Sequence, residues 1–215
     1  MREGPSARLL HSTSNRHSTS ISRARVTKPA VAASRVRLLV SACLLGDRTR
    51  YDGQHKYNPF LVETLGPFVE WERVCPESDC GMPTPRPSMH LEGDPRAPRL
   101  VSRTGVDLTE QMRRFTEDRL RELEGVELCG YICKKNSPSS GMTRVKVYDE
   151  SGTARRTGAG LFTAAFMARF PLVPVEEEGR LHDARLRESF LERVFCRRRW
   201  LDLVAGGRQR GRLVE

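Results

Sequence analysis

Apolar residues along this chain fall in short runs whose period switches between about two and about 3.6, the spacings of strands and helices. The run from Val36 to Ala42 predicts a short buried strand. Asn58 and Pro59 open a short helix, the first as cap and the second in the opening turn, and Gly66 ends it. Residues 69–75 predict a second strand ending at Cys75, and the proline-rich stretch from Pro76 to Pro98 reads as loop. Asp107 and Glu110 form a capping box. Leu108, Met112, Phe115, Leu120 and Leu123 then share one helical face, and Gly125 stops the helix. Residues 126–133 predict a third strand, and 143–149 alternate strictly, as a half-exposed strand does. A small-residue helix over 158–169, a short strand over 171–175 and a last amphipathic helix follow. Asp183 caps that last helix, with Leu186, Phe190, Val194 and Trp200 assigned to its inner face.

Alternating strands and helices predict an α/β fold of three layers, a mostly parallel sheet with helices on both faces in the Rossmann-like manner. Ligands of such sheets bind beyond the carboxyl ends of the strands. The unusual residues sit there. Cys43 follows the first strand and Cys75-Pro76-Glu77 the second. Lys134 to Gly141 follow the third, and Glu176 to Arg180 follow the late one.

Charge changes the picture only at the ends. The 215 residues carry a formal net charge of +10, which would suit a polyanion binder. Residues 1–35 hold seven Lys/Arg against Glu3, and residues 197–215 hold six Arg against Asp202 and Glu215. The segment between them balances 24 basic with 24 acidic residues. A neutral body has no excess field for nucleic acid, so any such contact falls to the tails. Residues 1–35 are rich in Arg and Ser and read as a disordered tail or an early start codon rather than a targeting peptide. Residues 36–200 read as the domain and 201–215 as a basic tail. No apolar run reaches the ~18 residues of a membrane span, and a cytoplasmic protein is expected.

Six cysteines without a secretion signal point to reduced thiols. Cys43 and Cys75 are expected to face one another across adjacent strand ends, with Cys80 in the loop that carries Cys75. Three soft thiolates suit an iron–sulfur cluster or zinc, and three ligands leave one metal position open. Inert buried thiols explain the same spacing as well. Glu77 is a candidate acid or base against the alternative of a surface carboxylate. Ser137, Ser139 and Ser140 lie in a Ser-Pro-Ser-Ser-Gly turn whose N–H groups could cradle an anion, or which could simply be turn chemistry. Asp52, Lys135, Ser139 and Ser140 are candidate substrate contacts. Glu176, Glu177 and Glu178 could take a cation, but a loop held by Arg180 is the simpler reading.

Four stretches carry a resemblance: Ser41 to Gly46, Arg50 to Gly53, Val74 to Glu77 and Lys135 to Gly141. In this order they resemble a bacterial family, long catalogued as a domain of unknown function, whose characterised members are 2-thiouracil desulfurases. The resemblance spans about residues 36–200. Arg144 to Tyr148 and Pro171 to Leu181 are similar to a subgroup fused to a second helical domain, for which a chain ending at Glu215 is too short. The resemblance implies a [4Fe–4S] cluster on three cysteines, with a free iron to take the thione sulfur of a small thio-substrate. It implies Cys43 and Cys75 as ligands, Glu77 as a proton-transfer residue and Ser137 as a second catalytic residue. The family's third ligand falls where this chain has Ser140, a poor donor to iron. Cys80 is the expected replacement, with Cys129 and Cys133 in reserve. Strand alternation puts those last two on one face. The competing expectation is a metal-binding accessory protein without turnover.

Overall fold

The computed structural model describes residues 35–206, so the readings of residues 1–34 and 207–215 lie outside the described residues. In chain order the elements are β1 (Val36–Ser41), β2 (Val69–Val74), the one-turn α1 (Pro76–Asp79), β3 (Met89–Glu92) and β4 (Arg99–Ser102). Then come α2 (Thr109–Glu124), β5 (Leu128–Cys133), β6 (Val145–Tyr148) and β7 (Ala154–Gly158). α3 (Leu161–Arg169), β8 (Val175–Glu177) and α4 (Ala184–Ala205) follow. The main sheet has the order β2-β1-β5-β8 with every pair parallel. A second, mixed sheet has the order β4-β3-β6-β7.

The expected three layers are present. On one face of the main sheet, Phe190 and Val194 of α4 pack with Leu61 and Leu65 onto Leu38, Val40 and Ile132. On the other, Leu120 and Leu123 of α2 and Phe162 and Phe166 of α3 pack onto Leu39, Leu128 and Tyr131. The second sheet rests on α2 through Met112, which meets Leu91, Leu100, Val145 and Val147. Among the described residues no helix is long and apolar enough to cross a membrane.

Several local expectations shift. The stretch read as loop from Pro76 to Pro98 contains α1 and β3. β3 is only four residues long, and its partners β4 and β6 stabilise it from further along the chain. The helix after Asn58 is a single π-helical turn, Phe60–Leu65, with Asn58 Oδ1 accepting from Leu61 N (3.3 Å). Of the capping box, Asp107 takes the Thr109 N–H (2.9 Å), while Glu110 pairs with Arg114 instead. The late strand lies at 175–177 rather than 171–175, because Val175, Glu176 and Glu177 pair with Tyr131, Ile132 and Cys133. Asp183 does cap α4, which runs on to Ala205, but Trp200 points outward and is half exposed. Cys129 and Cys133 lie on opposite faces. The cause is a bulge: Arg37 pairs with Leu128 and Leu38 with Gly130, leaving Cys129 as an extra residue.

Phe190 and Trp200 therefore separate on stability. Phe190→Ala empties a fully buried site and is expected to cost about 3–5 kcal/mol. Trp200→Ala is expected to cost less than about 1 kcal/mol. Urea titration of the two variants checks the difference.

Candidate active site at the carboxyl ends of the parallel strands

β1 runs directly into a 3-10 turn, Ala42–Leu45, closed by Gly46 at φ +104°, a conformation suited to glycine. The turn places Cys43 at the mouth of the sheet, and Lys56 N holds it from outside by donating to Cys43 O (2.8 Å). Ser41 Oγ accepts from Lys134 N (2.9 Å), which ties the end of β1 to the end of β5. β2 ends one residue before Cys75, which caps α1 and whose N–H donates to Asp79 Oδ2 (2.9 Å). Glu77 follows within that turn.

The serine loop after β5 is held from below by α3. The first N–H groups of a helix lack partners within it, and here they donate to the loop: Leu161 N to Pro138 O (3.1 Å) and Phe162 N to Ser139 O (3.0 Å). Thr163 Oγ1 donates to Ser140 O (2.7 Å). Gly160 permits this approach, since a β-carbon there would lie 2.4–2.6 Å from backbone atoms of Ser139 and Ser140. Asn136 at φ +59° turns the chain into the loop. The three glutamates near β8 each have separate work. Glu176 accepts from Arg180 Nε (2.7 Å), Glu177 from Met142 N (3.1 Å), and Glu178 from Lys134 Nζ (2.5 Å) and Lys135 N (2.6 Å).

These segments enclose a cavity of about 350 Å³. Cys43, Cys75, Glu77, Lys135, Ser137, Ser139 and Ser140 line it. Inside, Ser139 Oγ donates to Glu77 Oε1 (2.9 Å), and Ser137 Oγ lies 3.4 Å from the same oxygen. Ser137 Oγ and Ser139 Oγ share a hydrogen bond of 2.9 Å. Burial pushes the Cys43 thiol up to about 12, with the neighbouring Cys75 adding to the effect and Lys134 and Arg50 opposing it. Anionic sulfur at Cys43 thus needs a positive partner such as a metal ion.

Two of the residues picked from sequence stand aside. Asp52 does not line the cavity; it pairs with Arg50 (3.1 Å), which does. Cys80 does not line it either: its thiol donates to Glu77 O (3.2 Å) and packs against the cluster around Met82. Cys80 nevertheless stays within the electrostatic reach of Cys75, Glu77 and Arg86, and burial pushes its thiol up. Cys129 and Cys133 are buried in the core, and Cys196 is exposed on α4. Among the described residues no three metal-binding side chains meet as a ready-made set. The donor chemistry fits an iron–sulfur group at Cys43 and Cys75, with Cys80 one turn away. Thr49 Oγ1, beside them on the cavity wall, is buried without a hydrogen-bond partner among the described residues.

Sequence reasoning missed Arg86. Its side chain is 3% exposed, pairs with Glu77, and reaches Thr49 O (2.9 Å) and Pro83 O (3.2 Å). The available signal was a lone arginine set between Pro85 and Pro87.

An open parallel sheet whose strand ends present thiols, a carboxylate and hydroxyls to one cavity defines an α/β protein built for small-molecule chemistry at that edge. The model of the 2-thiouracil desulfurase family matches residues 38–178, and the chain belongs to that family. It is similar to the solved structure of TudS, described as a [4Fe-4S]-dependent thiouracil desulfidase, at 31% identity and a TM-score of 0.57. That likeness covers 72% of this chain and 99% of TudS. The uncharacterized protein YbbK of Bacillus subtilis (strain 168) is 29% identical over 140 residues, 60% of this chain and 88% of YbbK.

Gly160→Ala tests the seating of the serine loop on α3. The added methyl meets backbone rather than flexible side chain, so a loss of about 1–3 kcal/mol is expected. Denaturant melts check it.

Proposed function

We propose that this chain is a [4Fe–4S]-dependent desulfurase that exchanges the sulfur of a thiolated pyrimidine such as 2-thiouracil for oxygen. The observation that carries the reading is the convergence of Cys43 and Cys75 with Glu77 and the serine loop on one cavity. Cys43 and Cys75 hold the cluster, and Cys80 turns from Glu77 O to supply the third thiolate. When bound, such a cluster supplies a soft Lewis acid for the thione sulfur at the iron without a protein ligand. The chain's own residues do the rest. Lys135, Ser139 and Ser140 border the bound ring. Glu77 and Ser137 move the protons that water gives up as its oxygen joins the ring carbon and sulfide departs. Water is consumed, sulfide is released, and no external oxidant or reductant is needed.

A second reading has its own support. The hydroxyl at Ser140, and Cys80 lying outside the cavity wall, favour an accessory protein that holds zinc without turnover. Metal analysis separates the two. Anaerobic reconstitution with iron and sulfide is expected to give labile sulfide in the protein and sulfide release from 2-thiouracil. One zinc per chain with no labile sulfide would reject the desulfurase.

The ligand set is open to mutation. Cys80→Ala is expected to lose most of its iron, while Cys129→Ala and Cys196→Ala keep theirs. Full iron content in Cys80→Ala would move the third position to Ser140, where Ser140→Cys should then raise iron retention.

A further inference from the structure

The carboxylate of Glu77 has two oxygens, and they face different worlds. Oε2 takes two donors from one guanidinium, Arg86 Nε (3.1 Å) and Nη2. Oε1 takes the hydroxyls of Ser139 and Ser137. Arg86 is itself fixed from three segments. Nη2 also donates to Thr49 O (2.9 Å), Nη1 donates to Pro83 O (3.2 Å) and Thr84 Oγ1 (3.0 Å), and Arg86 N donates to Tyr51 O (2.8 Å). A lysine could not make this set, because a single ammonium has no planar fork.

Ser139 is 1% exposed and stands between Glu77 and Ser137. Ser137 Oγ accepts from Ser140 N (3.1 Å) and Ser139 N (3.3 Å), so its own proton is directed away from the loop backbone. The shorter contacts run in series, 2.9 Å from Ser137 Oγ to Ser139 Oγ and 2.9 Å from Ser139 Oγ to Glu77 Oε1.

We propose that Arg86 is the positioning residue of this site, locking Oε2 of Glu77 so that Oε1 alone exchanges a proton with Ser137, by way of Ser139. In the step, the Ser137 proton passes to Ser139 Oγ as the Ser139 proton passes to Glu77 Oε1. Two O–H bonds break, two form, and no electrons change hands. The proposal deepens the desulfurase reading and rests on it for the substrate.

The test uses the full chain, reconstituted with iron and sulfide, as Arg86→Met, Arg86→Lys and Ser139→Ala. Arg86→Met is expected to lower kcat on 2-thiouracil about 10–100-fold, as loss of an orienting partner does, with KM and iron content near wild type. Arg86→Lys should recover little of that loss, since it keeps the charge and loses the fork. Ser139→Ala should lower kcat and reduce the solvent isotope effect. A kcat that falls only in proportion to lost iron, or full rescue by lysine, would overturn the positioning role. Wild-type kcat in Ser139→Ala would overturn the relay. Carbodiimide coupling of Glu77, mapped by mass spectrometry, reads the lock without turnover and should rise in Arg86→Met, or in Arg86→Lys if the former does not fold. Unchanged coupling would refute the lock. Absence of sulfide release by the wild type would instead refute the desulfurase reading, leaving the coupling result to decide the lock alone.

Discussion

β1 pairs with β2 on one side and β5 on the other, and all three run the same way. Adjacent strands sit about 4.8 Å apart, so three chain segments far apart in sequence end within a few side-chain lengths of one another. This parallel pairing brings Cys43, Cys75 and the loop at 134–140 to one edge. The helices serve this alignment. α4 covers one face of the sheet, α2 and α3 the other, and α3 also gives its unpaired N–H groups to the serine loop. The same packing that buries the core thereby sets the height of Ser139 above the sheet.

A charged pair as buried as Glu77 and Arg86 is an expensive thing to keep. Removing each ion from water costs several kcal/mol even after relaxation, and the pair persists only where hydrogen bonds satisfy what remains. Here they do: the guanidinium meets Glu77, Thr49, Pro83 and Thr84. Replacing such a pair by well-packed apolar residues is often neutral for stability, whereas removing one partner is costly. In this chain the arrangement joins the loop after β1 to the turn after β2, the two segments that carry the cavity thiols.

The architecture was legible because buried parallel strands write continuous apolar runs and their helices write a 3.6 period. β1, β5 and α2 are plain in that script, while β2, Val-Glu-Trp-Glu-Arg-Val, alternates as a partly exposed strand does. The second sheet was not. β3 and β4 are four residues each, too short for a period, and their stability comes from partners elsewhere in the chain. At the site, strand-end placement picked out Cys43, Cys75, Glu77 and the serines, all of which reach the cavity. Arg86 was hidden because prolines around it read only as loop, and a loop's path depends on tertiary contacts. Asp52 lies outside the cavity lining, where its turn chemistry serves Arg50 and the local backbone.

The bulge in β5 bears on how this chain can change in length. Leu128, Tyr131 and Cys133 share one face of the strand, while Cys129 and Ile132 lie on the other, with Gly130 packed beneath Phe190 and Val194. Without residue 129 the remaining order alternates regularly, and Arg37 and Leu38 keep the partners they have now. Evolution can therefore delete the one codon for residue 129 without changing which side of the sheet the following residues face. Deleting Tyr131 would instead send Ile132 and Cys133 each to the opposite side of the core.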